Sequence, residues 1–140
     1  GAAELLGVIR AAFDRTHAYL GQRTQFGRPI GSFQVLQHRL VDLWMQRELM
    51  RALLGEAIEA CAGDDAEKRA RAASAVKAKA SAAALANGRQ SIQLHGAIGY
   101  ADEHDIGLYL KRAIVKSAWM GGAPVHRRRL ARLYGYSGQE

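Results

Sequence analysis

Apolar residues in this chain of 140 residues recur at steps of three and four, not two. That is the period of helices with one buried face. Over residues 4–21, Leu5, Ile9, Phe13 and His17 are expected on one side, with Leu6 and Ala12 beside them. Gly27, Pro29 and Gly31 break the pattern, and Pro29 pushes Arg28 out of helical geometry. From about Phe33 to Cys61 the steps resume through Leu36, Leu40, Leu43, Met50, Leu54, Ile58 and Cys61, with Arg47 filling the one gap. This is the core stripe of a long second helix, ended by Gly63 and Asp64.

Asp64, with Glu67 three residues on, reads as a capping box that opens a third helix running to about Leu94. Its interior is nearly all alanine, so its neighbours must supply the bulk and can approach its backbone closely. Gly96, Gly99 and Asp102 mark a loop. A shorter helix follows over about 103–119, Gly121, Gly122 and Pro124 interrupt it, and a last helix spans about Val125 to Tyr134. The expected fold is all-α: one domain over residues 1–140, an up-down four-helix bundle with a short extra C-terminal helix. The start, Gly1 to Leu6, reads as entry in mid-helix, as in a piece of a longer protein.

Composition narrows the chemistry. Only two prolines and abundant alanine and leucine favour helix, and low aromatic content with sparse β-branched residues argues against an extensive sheet. The single cysteine, Cys61, excludes a disulfide framework and reads as a small buried apolar residue. No Cys/His group has zinc spacing, and no Glu is followed three residues later by His, so no metal site is expected. No apolar run approaches a membrane span and no signal segment opens the chain, which points to a reducing, cytoplasmic setting. The net charge of +7 would attract any polyanion, nucleic acid or nucleotide cofactor alike. Arg127, Arg128 and Arg129 stand consecutively, however, and a helix would spread them over several faces.

Among candidate chemistries, Gly96-Ala97-Ile98-Gly99 follows a helix instead of a strand, so a dinucleotide-binding βαβ unit fails on context. His95 adjoins this glycine string, as a donor to a ligand or as a histidine bonded to backbone. Asp102, Glu103 and Asp105 suit the N-terminus of the fourth helix, as caps and as charge facing its dipole.

Two stretches are more specific. The first helix ends in Arg23-Thr24-Gln25-Phe26-Gly27-Arg28-Pro29-Ile30, then Phe33-Gln34; the third ends in Gln93-Leu94-His95-Gly96-Ala97-Ile98-Gly99-Tyr100. Together with Glu103-His104-Asp105 and Leu108-Tyr109-Leu110-Lys111-Arg112-Ala113, these resemble, in order and spacing, the C-terminal helical domain of acyl-CoA dehydrogenases. The resemblance covers essentially the whole chain. It implies an N-terminal helical domain and a middle β-domain outside this sequence, FAD as cofactor, and an acyl-CoA substrate. It also implies electron-transfer flavoprotein as acceptor, and a dimer or tetramer. Arg23 and Gln34 would reach the diphosphate of FAD held by a neighbouring subunit; Gln93, Leu94, His95, Gly96 and Ala97 would line its adenosine end. Phe26 and Phe33 would wedge the loop in place.

Two departures from the family pattern matter. Ala97 stands where a second glycine is usual. Met120 stands where many members carry the glutamate that removes the α-proton, and Gly122 and Ala123 replace a Thr-Ser pair. Some members place that base on the first helix of this domain, at a position that would fall a few residues before Gly1. Glu4 lies about two turns further along, as a residual candidate base or as a carboxylate facing a helix N-terminus. The base is therefore unassigned. The leading expectation is an enzyme domain that grips FAD. The alternatives are the non-catalytic partner in a hetero-oligomer and, on charge alone, a basic helical module that binds nucleic acid, for which no recognition helix is evident.

Overall fold

Five helices dominate the computed structural model, which describes residues 1–136: α1 (Ala2–Gln22), α2 (Gln34–Ala62), α3 (Ala66–His95), α4 (Ile106–Ala118) and α5 (Ala123–Leu133). The expected all-α bundle with a short final helix is what forms. α3 is the central element and packs against each of the others. Its alanines make this possible. Ala80, Ala83 and Ala84 are buried among Leu5, Ile9, Met50 and Ala113. At Gly88 a Cβ would stand only 3.1 Å from Leu110 Cα, so glycine sets how closely α4 approaches.

On α1 the buried positions are Leu5, Ile9, Ala12, Phe13, Thr16 and Leu20. His17, expected on the core face, is exposed. Each four-residue step overshoots a helical turn by about 40°, so a run of such steps leaves the face while Thr16 and Leu20 stay on it. The same drift corrects α2. Leu43, Met50, Ala57 and Ala60 are buried, whereas Ile58 is 61% exposed and Cys61 is exposed, not the small buried residue expected. Arg47 fills its gap in the stripe by laying its guanidinium 4.5 Å from the Phe13 ring centroid, with Glu48 at 2.9 Å and Asp14 at 3.4 Å.

The cap of α3 is Asp65, one residue later than expected. Its Oδ1 accepts from the N–H groups of Glu67 and Lys68, each at 2.9 Å. Before α4, the acidic trio does not cap with its side chains. His104 Nδ1 accepts from Ile106 N at 3.2 Å, and Asp105 instead pairs with Arg15 at 3.2 Å.

Between α1 and α2 lies a feature absent from the expectation, a small antiparallel hairpin of β1 (Thr24–Gln25) and β2 (Arg28–Pro29). Its two-residue turn has positive φ at both Phe26 (53°) and Gly27 (76°), the turn whose twist matches paired strands. Phe26 meets Phe33 edge to face at 6.1 Å but is 89% exposed, so it projects from the loop and does not wedge it. Among the described residues, no helix is long and apolar enough to cross a membrane, and no three His, Cys, Asp or Glu side chains gather as metal ligands.

Candidate functional site

A groove of about 470 Å³ opens where the C-terminal ends of α1 and α3 meet. Arg23, Gln25 and Ile30 form one wall, and Gln93, Leu94, His95, Gly96 and Ala97 form the other. The two sequence stretches, far apart in the chain, thus share one site. Both helices end by devices that hold the walls. Arg23 N–H closes α1 on Tyr19 O at 2.8 Å, and Ile30 N–H returns to Arg23 O at 2.8 Å. Gly96 ends α3 with φ 65° and ψ −142°, a conformation open to glycine and costly for other residues. Gly99 is fixed by packing, since a Cβ there would sit 2.5 Å from Ile92 O. Ala97 is exposed, so the methyl that departs from the usual glycine displaces nothing in the fold.

His95 divides its roles. Its ring is buried, stacked on Tyr19 with centroids 4.4 Å apart and near His104 at 4.8 Å. Nδ1 lies 2.7 Å from Ser91 O; a carbonyl only accepts, so Nδ1 carries the proton. Nε2 is buried without a hydrogen-bond partner. Burial pushes the imidazole pKa below its ordinary value, against the raising effect of the Ser91 bond, so the ring is neutral. The groove receives backbone from His95, and Tyr19 Oη donates to its carbonyl at 3.2 Å. Gln34 is the first residue of α2, exposed and outside the groove lining.

The groove's donors suit a phosphate-bearing group. One guanidinium and the amides of Gln25 and Gln93 line it, and among the described residues no carboxylate does. Guanidinium makes forked bonds to phosphate oxygens.

A second, apolar cleft of about 550 Å³ lies at the opposite ends of these helices. Ala2, Leu54, Ile58, Val76, Trp119 and Met120 contribute its walls; Lys77 and His126 line it too, and Arg129 gives it a cationic edge. Among the described residues, no Asp or Glu lines it. Met120 and Gly121 take left-handed φ of 59° and 95° in succession. Glu4 is not in this lining. Its carboxylate pairs across to α4 with Arg112 and, at 3.0 Å, with Lys116. The Lys116 hydrogen bond, then Arg112, holds its pKa below the ordinary carboxylate value, outweighing desolvation.

Sequence reasoning overlooked Lys77. It is 7% exposed in the middle of α3, with Nζ 2.8 Å from Ser117 O and 2.9 Å from Ser81 Oγ. The available signal was a lysine inside a run of small residues, four before a serine.

Comparison with known proteins places the chain in a family. The family described as acyl-CoA dehydrogenase, C-terminal domain, matches residues 1–134. Acyl-CoA dehydrogenase IpdE2 of Mycolicibacterium smegmatis is 39% identical over 129 residues, covering 92% of this chain and 39% of that protein. The Tcur3481–Tcur3483 steroid ACAD superposes with a TM-score of 0.90 at 35% identity, over 96% of this chain and 37% of that one. PigA in its FAD complex gives 0.87 at 27% identity, over 98% and 35%. This chain therefore spans well under half the length of these relatives. It belongs to the acyl-CoA dehydrogenase family and corresponds to that family's C-terminal domain.

Proposed function

We propose that this domain grips FAD within a flavin-dependent acyl-CoA dehydrogenase, one that introduces an α,β double bond into an acyl-CoA thioester. The observation that carries this is the convergence of Arg23 with Gln93 to Ala97 on one carboxylate-free groove. Bound FAD would supply the two-electron acceptor. Arg23 would pair with the diphosphate, and the backbone at Gln93, Leu94, His95, Gly96 and Ala97 would face the adenosine end, with Gln34 at the rim. The apolar cleft beside Met120 would take the acyl chain, and its cationic edge would favour a nucleotide-bearing thioester.

The base is contributed from outside the described residues. Among the described residues the cleft holds no carboxylate, the Met120 side chain carries no basic group, and Glu4 is engaged by two cations that weaken it as a base. The groove opens outward, which supports FAD shared with a neighbouring subunit in a dimer or tetramer. Residues 1–140 form one domain of the enzyme, with electron-transfer flavoprotein as the acceptor and the cytoplasm as the setting.

The experiment is Arg23→Ala in the full-length protein, with the flavin-to-protein ratio read by absorbance. Losing a charge-assisted pair worth about 1.5–3 kcal/mol should weaken FAD binding by about 10- to 100-fold. Unchanged occupancy would sink the role given to Arg23.

The carboxylate-free cleft also favours a second reading, a subunit that keeps the fold while its partner performs the chemistry. A solved relative whose description joins two proteins, Tcur3481 and Tcur3483, supports it. Full-length protein that binds FAD alone yet oxidises acyl-CoA only with a related subunit would select this reading.

A further inference from the structure

Lys77 is a buried ammonium with no carboxylate partner among the described residues. Buried charges are ordinarily paired. Here the charge is held by oxygen dipoles alone: Ser81 Oγ at 2.9 Å, Ser117 O at 2.8 Å, Gly121 O at 3.1 Å and Lys116 O at 3.4 Å. Two of these carbonyls end α4, where the helix dipole is negative. Gly121 O belongs to the left-handed turn that follows. Ser81 Oγ also lies 3.3 Å from Ser117 O. From α5, His126 Nε2 lies 3.0 Å from Met120 O, a second hold on that turn. The turn between α4 and α5 is therefore pinned from α3 and from α5, and both Trp119 and Met120 line the apolar cleft.

We propose that Lys77 is a positioning residue for the acyl-CoA reaction: by binding the α4 terminus and Gly121, it fixes the Trp119–Met120 wall against which the acyl group packs. The inference rests on the cleft assignment under Proposed function. Lys77 does not touch the reacting atoms. Its ammonium has donors for carbonyls on two sides of the turn at once, which a neutral side chain of the same length lacks. Burial pushes its pKa below the ordinary value.

The test uses full-length, FAD-loaded enzyme and a series of straight-chain acyl-CoA esters from short to long. Lys77→Met keeps length and apolar bulk but removes the clamp. It should retain FAD, while kcat/KM for long acyl-CoA falls about 10- to 100-fold, as for a displaced positioning element. That loss should reside mainly in KM and shrink as the acyl chain shortens. A merely structural role lowers thermal stability and scales every substrate by the same factor; a uniform loss, or none, overturns the proposal. If Lys77→Met does not fold, His126→Ala loosens the same turn from α5 and should give the same length-dependent change in KM; its absence there overturns the proposal equally. Wild-type protein that binds no FAD or oxidises no acyl-CoA refutes the proposed function itself, a separate result seen before any variant is made.

Discussion

At His95 the sign of a pH effect follows from burial. The folded imidazole holds its proton less tightly than the ordinary value of 6.5, so as pH falls the unfolded chain takes up the proton first. Stability is then complete above about 6.5 and is lost as pH drops toward the lowered folded value, by up to about 1.4 kcal/mol per pH unit for one such group. Thermal melts between pH 7.5 and 5.5 should show this decline, and His95→Phe, which keeps a ring against Tyr19, should flatten it. Asp65 acts in a lower window. The Lys68 N–H, then that of Glu67, holds its pKa down against desolvation, so its contribution is full above the ordinary carboxylate value and fades as pH falls through the lowered one. Asp65→Ala should lower Tm at neutral pH and match wild type in strong acid. Residue roles were only partly legible in the sequence. Arg23 and Gln93 to Ala97 could be matched to a pattern, whereas the cap at Asp65 in place of Asp64 depends on which residue leaves the helical conformation, a choice two adjacent aspartates leave open.

At the scale of elements, α3 decides the packing because it is thin. Ala80→Leu would force bulk against Leu5, Ile9 and Met50 and should cost about 1–3 kcal/mol. Met50→Ala removes the largest α2 side chain of that cluster and should cost about 2–5 kcal/mol; denaturant melts measure both. Helix number, order and type were readable because 3.6-residue periodicity persists through long segments. The ends of the stripes were not. Ile58 and Cys61 continue the three- and four-residue steps but have drifted off the face that buries Ala57 and Ala60, onto the edge of the cleft. The hairpin was hidden because its strands are two residues long and alternate nothing. Lys77 was hidden for another reason: its partners are backbone carbonyls from α4 and the turn beyond, which sequence spacing does not encode.

Across the whole molecule, apolar surface is unevenly spread. Val41, Met45 and Leu49 recur at four-residue steps along the outside of α2, 51%, 44% and 56% exposed, with Trp44 beside them. A contiguous apolar strip of this kind marks a protein–protein surface, in line with the proposed dimer or tetramer. Met45→Glu combined with Leu49→Lys in the full-length protein should shift it to a smaller species by light scattering; an unchanged mass would place the subunit interface elsewhere. The net charge of +7 is carried in part by the exposed Arg127, Arg128 and Arg129.

The left-handed backbone at Met120 has a consequence for inheritance. Its φ of 59° strains unbranched residues such as methionine and glutamate to a similar degree, and its side chain is 74% exposed. Glutamate and methionine are both unbranched at Cβ, so exchanging one for the other there is nearly invisible to selection on folding. A glutamate in this place would leave the scaffold unchanged, so a base could be gained or lost there at little cost to folding.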